Sequence, residues 1–163
     1  MINNYKLVCF DMDGTLIINT NSVKFICEIA NKIEEVMAIE VKEELGQIGW
    51  IEADYYKAKL FKGVNVDLIN VEFDNYIELI DGIANVITQL KSRGIRSILV
   101  TSGPLQVAQV LGNKFDFDAV YGSVYQLENV KFTGEISHHL GDEGKLECLR
   151  SYYNRNNIEL KNA

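Results

Sequence analysis

The sequence predicts an α/β fold: a Rossmann-like core built on a parallel sheet, with a helical cap inserted after the first strand. Leu7–Phe10 is a short apolar run typical of a buried strand. Between residues 21 and 80 apolar residues recur at three- and four-residue spacing, with almost no strand-like alternation. From residue 81 onward, helical and strand patterns alternate, as they do in parallel sheets. We therefore predict core segments at 1–16 and 81–163 and a cap at 17–80.

The cap segment contains three predicted helices. The first begins near Asn21 or Ser22, either of which can cap a helix by accepting backbone N–H bonds. Its apolar positions are Val23, Ile26, Ala30, Ile33 and Met37. Gly46 and Gly49 interrupt the pattern, and two more helices are predicted over residues 50–62 and 66–80.

The core segment after the cap predicts an ordered series of elements. A helix from residue 83 ends near Gly94, and a buried strand follows over residues 97–100. Pro104 suits the first turn of the next helix, which runs to about Leu111. A third strand is predicted over 117–121, and residues 124–136 predict a strand or hairpin with Gly134 near a turn. A last helix runs from Asp142 or Glu143 to about residue 153.

Composition narrows the classes of function. The chain has 163 residues and a formal net charge of −7, which disfavours general nucleic-acid binding. No apolar run reaches the roughly 18 residues that a membrane helix needs, and the N-terminus does not resemble a signal peptide. The three cysteines are scattered, which argues against a disulfide framework. A cytoplasmic protein that binds neither nucleic acid nor membranes is predicted.

The most informative run is Asp11-Met12-Asp13-Gly14-Thr15-Leu16, directly after the first predicted strand. A loop at a strand end can turn both carboxylates toward one point. Converging acids resist joint ionisation unless a cation is near, which favours Mg²⁺ bound at Asp11 and Asp13 and one Asp acting as a nucleophile toward phosphorus. For two spaced aspartates alone, a solvated turn is the alternative.

This run resembles the first motif of the haloacid dehalogenase superfamily, whose members are mostly phosphatases. Ser102-Gly103, just past a buried strand, resembles the second motif in its phosphoserine phosphatase-like form, with Thr101 as an adjacent alternative to Ser102. Gly144-Lys145 at the start of the last helix resembles the approach to the third motif. The helical insertion lies where phosphoserine phosphatase-like members carry their cap.

The resemblance implies a mechanism. Asp11 would attack phosphorus and form an aspartyl phosphate, and Asp13 would protonate the leaving oxygen and then assist water. Mg²⁺ would be held by the Asp11 carboxylate and the Asp13 backbone carbonyl. Ser102 and Lys145 would neutralise the phosphoryl charge. The residues that the resemblance places around the phosphate are Asp11, Met12, Asp13, Gly14, Thr15, Ser102, Gly103 and Lys145.

The sequence also departs from the family. The fourth motif, which supplies further acids to the metal, has no counterpart after the last helix, so the sequence is expected to be the N-terminal part of a longer protein. Asp142, Glu143 and Glu147 imitate that motif only loosely. A missing strand would expose a sheet edge and favour self-association into a homo-oligomer.

Residues that recognise phosphoserine in the family are not evident either. Thr20 stands where the family carries a Glu, and no Arg lies near Tyr55. His138 and His139 are predicted to be surface residues, because neighbouring strand residues point apart and no third metal ligand accompanies them. A cap-packing role, with one or two members at the substrate opening, is predicted for Trp50, Tyr55, Tyr56 and Phe61.

The leading hypothesis is a Mg²⁺-dependent phosphatase that hydrolyses a small phosphorylated metabolite through Asp11. One alternative is a phosphate-binding or regulatory protein without turnover, including a truncated inactive chain. A second is a phosphotransferase or phosphomutase, since an aspartyl phosphate can pass to an alcohol instead of water.

Overall fold

The computed structural model describes residues 5–159. The predicted core segments 1–16 and 81–163 therefore extend beyond the described residues at 1–4 and 160–163. The strands are β1 (Leu7–Phe10), β2 (Arg96–Pro104), β3 (Ala119–Glu128) and β4 (Lys131–His138). The helices are α1 (Ser22–Ile29), α2 (Ile33–Glu44), α3 (Trp50–Leu60), α4 (Asp67–Tyr76), α5 (Ile83–Ser92), α6 (Leu105–Phe115) and α7 (Gly141–Arg155).

The four strands form one sheet in the order β1-β2-β3-β4. β1 and β3 both pair parallel with β2, while β4 returns antiparallel to β3. The predicted α/β fold with a mainly parallel sheet is confirmed. Within residues 5–159, β1 pairs on one side only, so it forms an edge of this sheet. Self-association through that edge stays a prediction.

Apolar side chains cover both faces of the sheet, as expected of parallel strands. Successive residues of β2 alternate between two apolar clusters, with Ile98 and Val100 in one and Leu99 in the other. The Ile98 cluster packs against α7, and the Leu99 cluster is continuous with residues of α1, α4, α5 and α6. The carboxyl ends of β1 and β2 therefore lie side by side in a framework that is packed on both faces.

The predicted single helix over residues 22–37 is wrong. Asn31 has a left-handed backbone conformation, with φ of 56°, and it separates α1 from α2. Asparagine tolerates this conformation better than most residues, which explains a break without glycine or proline. Asn21 is the N-cap of α1, because its side chain accepts the Lys24 amide at 2.8 Å.

The predicted helix over 66–80 ends early, at Tyr76. The segment that follows pairs with the loop after β1: the Ile18 amide donates to the Glu78 carbonyl and the Ile80 amide to the Leu16 carbonyl, at 3.0 and 2.9 Å. These backbone bonds replace a further helical turn. The division into core and cap at residues 17 and 80 stays a prediction, since the larger apolar cluster spans both segments.

Two further boundaries, one at the end of β2 and one between β3 and β4, also differ from the prediction. Pro104 does not begin the first turn of α6, because it is still extended and pairs with Ser123 of β3. The hairpin turn lies at Asn129-Val130, both of which have positive φ, and not near Gly134. Gly134 is inside β4, where a Cβ would lie 3.3 Å from Lys59 Cα of α3. A glycine there allows the helix to approach the strand closely.

Among the helices of residues 5–159, none is both long enough and apolar enough to cross a membrane.

Candidate active site

The loop after β1 is held in a tight turn by its own backbone. The carbonyl oxygen of Met12, whose side chain is buried, accepts the amides of Leu16 and Ile17 at 2.8 and 3.0 Å. This turn presents Asp11 and Asp13 to one cleft. The loop thus places both carboxylates in the same cleft, as the sequence predicted.

Lys145 lies against the first of these carboxylates. Its Nζ donates to Asp11 Oδ1 at 2.9 Å, although the two residues are 134 positions apart in the chain. Their side chains are 33% and 43% exposed, so the pair is open to a ligand from the cleft. The first turns of α7 thus bring an ammonium group to the end of β1.

The second carboxylate is held by the start of α1. Ser22 donates its backbone amide to Asp13 Oδ1 at 2.8 Å and its hydroxyl to Asp13 Oδ2 at 2.6 Å. Burial raises the pKa of Asp13, the charges of Asp11 and Asp54 add to the rise, and the two hydrogen bonds from Ser22 oppose it. A fixed carboxyl with a raised pKa is suited to holding and releasing a proton.

The end of β2 contributes Ser102 and Gly103. The hydroxyl of neighbouring Thr101 accepts the Gly103 amide at 3.0 Å, so Thr101 stabilises the irregular end of β2. Ser123, which is fully buried on β3, donates its hydroxyl to the Ser102 carbonyl at 2.6 Å and accepts the Leu140 amide at 3.0 Å. Ser123 thereby links the end of β2 at Ser102 to the residues that begin α7, the helix of Lys145.

These elements enclose a cleft of about 160 Å³. Five of the predicted phosphate-contacting residues line it: Asp11, Asp13, Ser102, Gly103 and Lys145. The other three, Met12, Gly14 and Thr15, do not line it. Thr101, the predicted alternative to Ser102, also lines the cleft. The cleft is completed by residues that were not predicted to contact phosphate: Asn21, Val23, Trp50, Asp54 and Lys57.

Helix α3 forms one wall of the cleft. It contributes Trp50, Asp54 and Lys57 to the cleft, and Lys57 is buried. The Lys57 ammonium donates to Glu43 of α2 at 2.9 Å, so its charge already has a partner. Asp54 and Lys57 were not singled out from the sequence, because acids and lysines on an amphipathic helix are ordinarily solvated.

The prediction that His139 is a surface residue is wrong. Its side chain is 5% exposed, and its Nε2 lies 2.9 Å from Asp54 Oδ2. The rings of Trp50 and Tyr55 lie 5.3 and 6.0 Å from the imidazole. His139 follows β4 and is not part of it, so the alternation argument did not apply. His138, the last residue of β4, is exposed as predicted.

The predicted packing role of the cap aromatics holds for Phe61 and not uniformly for the others. Phe61 is fully buried between the rings of Tyr125 and Phe132. Trp50 lines the cleft with 38% of its surface exposed, while Tyr55 and Tyr56 are 39% and 42% exposed. Thr20 is not among the residues that line the cleft.

The donor set for a divalent cation is small. In the part of the chain that the structure describes, no group of three or more His, Cys, Asp or Glu residues is arranged to hold a metal ion. Asp142 and Glu143 are exposed on α7 and lie outside the cleft. Mg²⁺ commonly binds through one or two carboxylates, waters and substrate phosphate oxygens, so oxygens of Asp11 and Asp13 fit a weakly held ion of this kind.

The family of haloacid dehalogenase-like hydrolases matches residues 8–163. The chain belongs to this family. Within it, the chain falls in the phosphoserine phosphatase-like branch: it is 27% identical over 140 residues to the phosphoserine phosphatase of Archaeoglobus fulgidus, which covers 84% of this chain.

Solved structures agree in fold. A haloacid dehalogenase family hydrolase from Salmonella enterica serovar Typhi superposes with a TM-score of 0.86 over 96% of this chain, at 20% identity. A phospho-aspartyl intermediate analogue of phosphoserine phosphatase superposes with a TM-score of 0.79 over 96% of this chain, at 23% identity. The chain spans 39% of the length of the Archaeoglobus protein and 53% of the Salmonella chain.

Proposed function

We propose that this protein is a Mg²⁺-dependent phosphatase that hydrolyses a small phosphate monoester through an aspartyl phosphate on Asp11. The observation that carries the proposal is the 2.9 Å contact between Lys145 Nζ and Asp11 Oδ1, in a cleft that also holds Asp13 and Ser102. Relatives named phosphoserine phosphatase, and a structural neighbour described as a phospho-aspartyl intermediate analogue, support it.

Each residue then has a distinct task. Lys145 orients Asp11 through one carboxylate oxygen, so that the other oxygen attacks phosphorus while the bond from phosphorus to the leaving oxygen breaks. Asp13 gives its proton to that oxygen and afterwards takes one from the attacking water. The Ser102 hydroxyl donates to a phosphoryl oxygen, and Lys145 balances the charge on the phosphoryl group.

Asp11 and Asp13 are the residues that would hold the metal. When bound, Mg²⁺ supplies positive charge that neutralises the phosphoryl oxygens and reduces their repulsion of the attacking carboxylate. With few protein ligands, binding of the ion is expected to be weak and to tighten when substrate phosphate is present.

The test is hydrolysis of p-nitrophenyl phosphate by the chain with and without Mg²⁺. We expect turnover that rises with millimolar Mg²⁺ and is lost in EDTA, since phosphoryl transfer depends on charge neutralisation. Asp142→Asn is a matched control, because Asp142 is an exposed acid outside the cleft. Absence of turnover from a folded chain that still binds phosphate would instead support the binding-only alternative. Transfer of the phosphoryl group to added alcohols would support the phosphotransferase alternative.

A second prediction concerns the proton on Asp13. Ser22→Ala removes the 2.6 Å hydrogen bond that lowers the pKa of Asp13, so this pKa should rise further above its usual range. Asp13 must be protonated to assist the leaving group, and activity therefore falls as pH rises through its pKa. The alkaline limb of the kcat profile is expected to move to higher pH in Ser22→Ala. A limb that stays in place or moves to lower pH would contradict the role of Asp13.

A further inference from the structure

We propose that Asp54 makes this cleft selective for phosphate esters whose alcohol carries an ammonium group and no carboxylate. The inference rests on the proposed phosphatase function and concerns the leaving-group side of the same cleft. It starts from the wall formed by α3, where Asp54, Lys57 and Trp50 face the phosphate-binding side.

The protonation state of His139 follows from its two hydrogen bonds. Its Nδ1 receives the Gly141 backbone amide at 3.1 Å, and an amide N–H can only donate, so Nδ1 carries no proton. The ring proton is therefore on Nε2 and is donated to Asp54 Oδ2, 2.9 Å away. His139 therefore acts on Asp54 as a hydrogen-bond donor. Burial raises the pKa of Asp54, and the hydrogen bond from His139 and the charge of nearby Lys57 oppose that rise.

Both lysines of the cleft already have acidic partners. Lys57 pairs with Glu43 and Lys145 with Asp11, each at 2.9 Å. Asp54 is thus the acid of the α3 wall whose charge has no cationic partner in direct contact. Among residues 5–159, no group donates a hydrogen bond to its other oxygen, Oδ1, so one carboxylate oxygen is available to a ligand.

One neighbour suits a cation at the same place. Trp50 is an aromatic residue of the cleft lining, and cations bind over aromatic rings. A carboxylate on the leaving group would meet the Asp54 charge, while Lys57 is held by Glu43.

The test compares substrates of equal size. O-phosphoethanolamine and propyl phosphate differ by an ammonium in place of a methyl group, and phosphoglycolate carries a carboxylate. We expect kcat/KM for O-phosphoethanolamine to exceed that for propyl phosphate by about tenfold or more, as for a charge-assisted hydrogen bond. Phosphoglycolate should be the poorest of the three.

Asp54→Asn should lower the ratio of the first two kcat/KM values by about tenfold, because the amide keeps an oxygen for His139 and loses the charge. Glu52→Gln, on the exposed side of the same helix, is the control and should leave the ratio unchanged. A wild-type ratio near one, an unchanged ratio in Asp54→Asn, or a preference for phosphoglycolate would each overturn the inference.

Failure of the inference is distinguishable from failure of the proposed function. Hydrolysis of p-nitrophenyl phosphate with a ratio near one would reject the role of Asp54 alone. If no ester is hydrolysed, a binding measurement tests the inference instead. Trp50 is the only tryptophan of the chain and lines the cleft, so a change in its fluorescence reports ligand binding there. Saturable binding of O-phosphoethanolamine that Asp54→Asn weakens at least tenfold would support the subsite. Absence of such binding would overturn it.

Discussion

Replacing Asp11 by asparagine is expected to lower phosphate ester hydrolysis by about three orders of magnitude or more. The amide is neutral and is a poor nucleophile toward phosphorus, so the covalent intermediate cannot form. The change also removes the charge that holds Lys145 Nζ at 2.9 Å, which leaves the ammonium without its carboxylate. Both effects act on the transition state, so kcat should fall far more than KM rises.

The fold should tolerate this substitution. The Asp11 side chain is 43% exposed, and an exposed ion pair of this kind contributes about 0–1 kcal/mol. The thermal midpoint of Asp11→Asn should therefore stay close to that of the wild type, as should that of the control Asp142→Asn. Measuring both midpoints and both rates separates chemistry from folding. Residual activity near the wild-type value in Asp11→Asn would show that another residue is the nucleophile.

Asp11, Asp13, Ser102 and Lys145 could be found from the sequence because each sits at a strand end or near a helix start. Asp11 and Asp13 follow a four-residue apolar strand, and Ser102 lies at the end of the next core strand. Parallel strands bring such ends to one edge of the sheet, so residues far apart in the chain converge. Lys145 was found through its family resemblance and not through any local pattern.

The cleft residues contributed by α1 and α3 could not be found in the same way. Asp54 is distinguished by its contact with His139, and the two are 85 positions apart in the chain. Ser22 was considered only as a helix cap, whereas its hydroxyl and amide both bind Asp13. These contacts depend on how α1 and α3 pack over the sheet. The spacing of apolar residues predicts the helices themselves and not their packing.

The missed backbone features have a similar cause. The break at Asn31 and the turn at Asn129-Val130 use positive φ at residues other than glycine. Local sequence favours such conformations only weakly, and packing of the flanking elements decides them. Gly134 was taken for a turn residue because it is a glycine, while its place in β4 reflects the close approach of α3.

Replacing Gly103 by alanine has the other large expected effect. A Cβ at this position would lie 2.3 Å from Ser22 Oγ, 2.9 Å from Asp13 Oδ2 and 3.2 Å from Met12 Cε. Ser22 is fully buried and its hydroxyl is bonded to Asp13, so it cannot move aside without losing the 2.6 Å hydrogen bond. We expect a loss of about 1–3 kcal/mol in the free energy of unfolding, typical of overpacking. Activity should fall by about a hundredfold, since displacement of Asp13 by about an ångström has effects of this size.

The same substitution at Gly49 is the matched control. Gly49 precedes α3 with an ordinary φ of −76°, and a Cβ there meets no atom within 4 Å. Gly49 is the N-cap of α3, where alanine is less favourable than glycine, so Gly49→Ala should cost at most about 1 kcal/mol and leave activity close to the wild type. The steric argument predicts one more result: removing Ser22 Oγ relieves the closest contact, so Ser22→Ala combined with Gly103→Ala should be less destabilised than the sum of the single variants. Strict additivity in chemical denaturation would contradict the proposed clash, because the two changes would then act on separate parts of the fold.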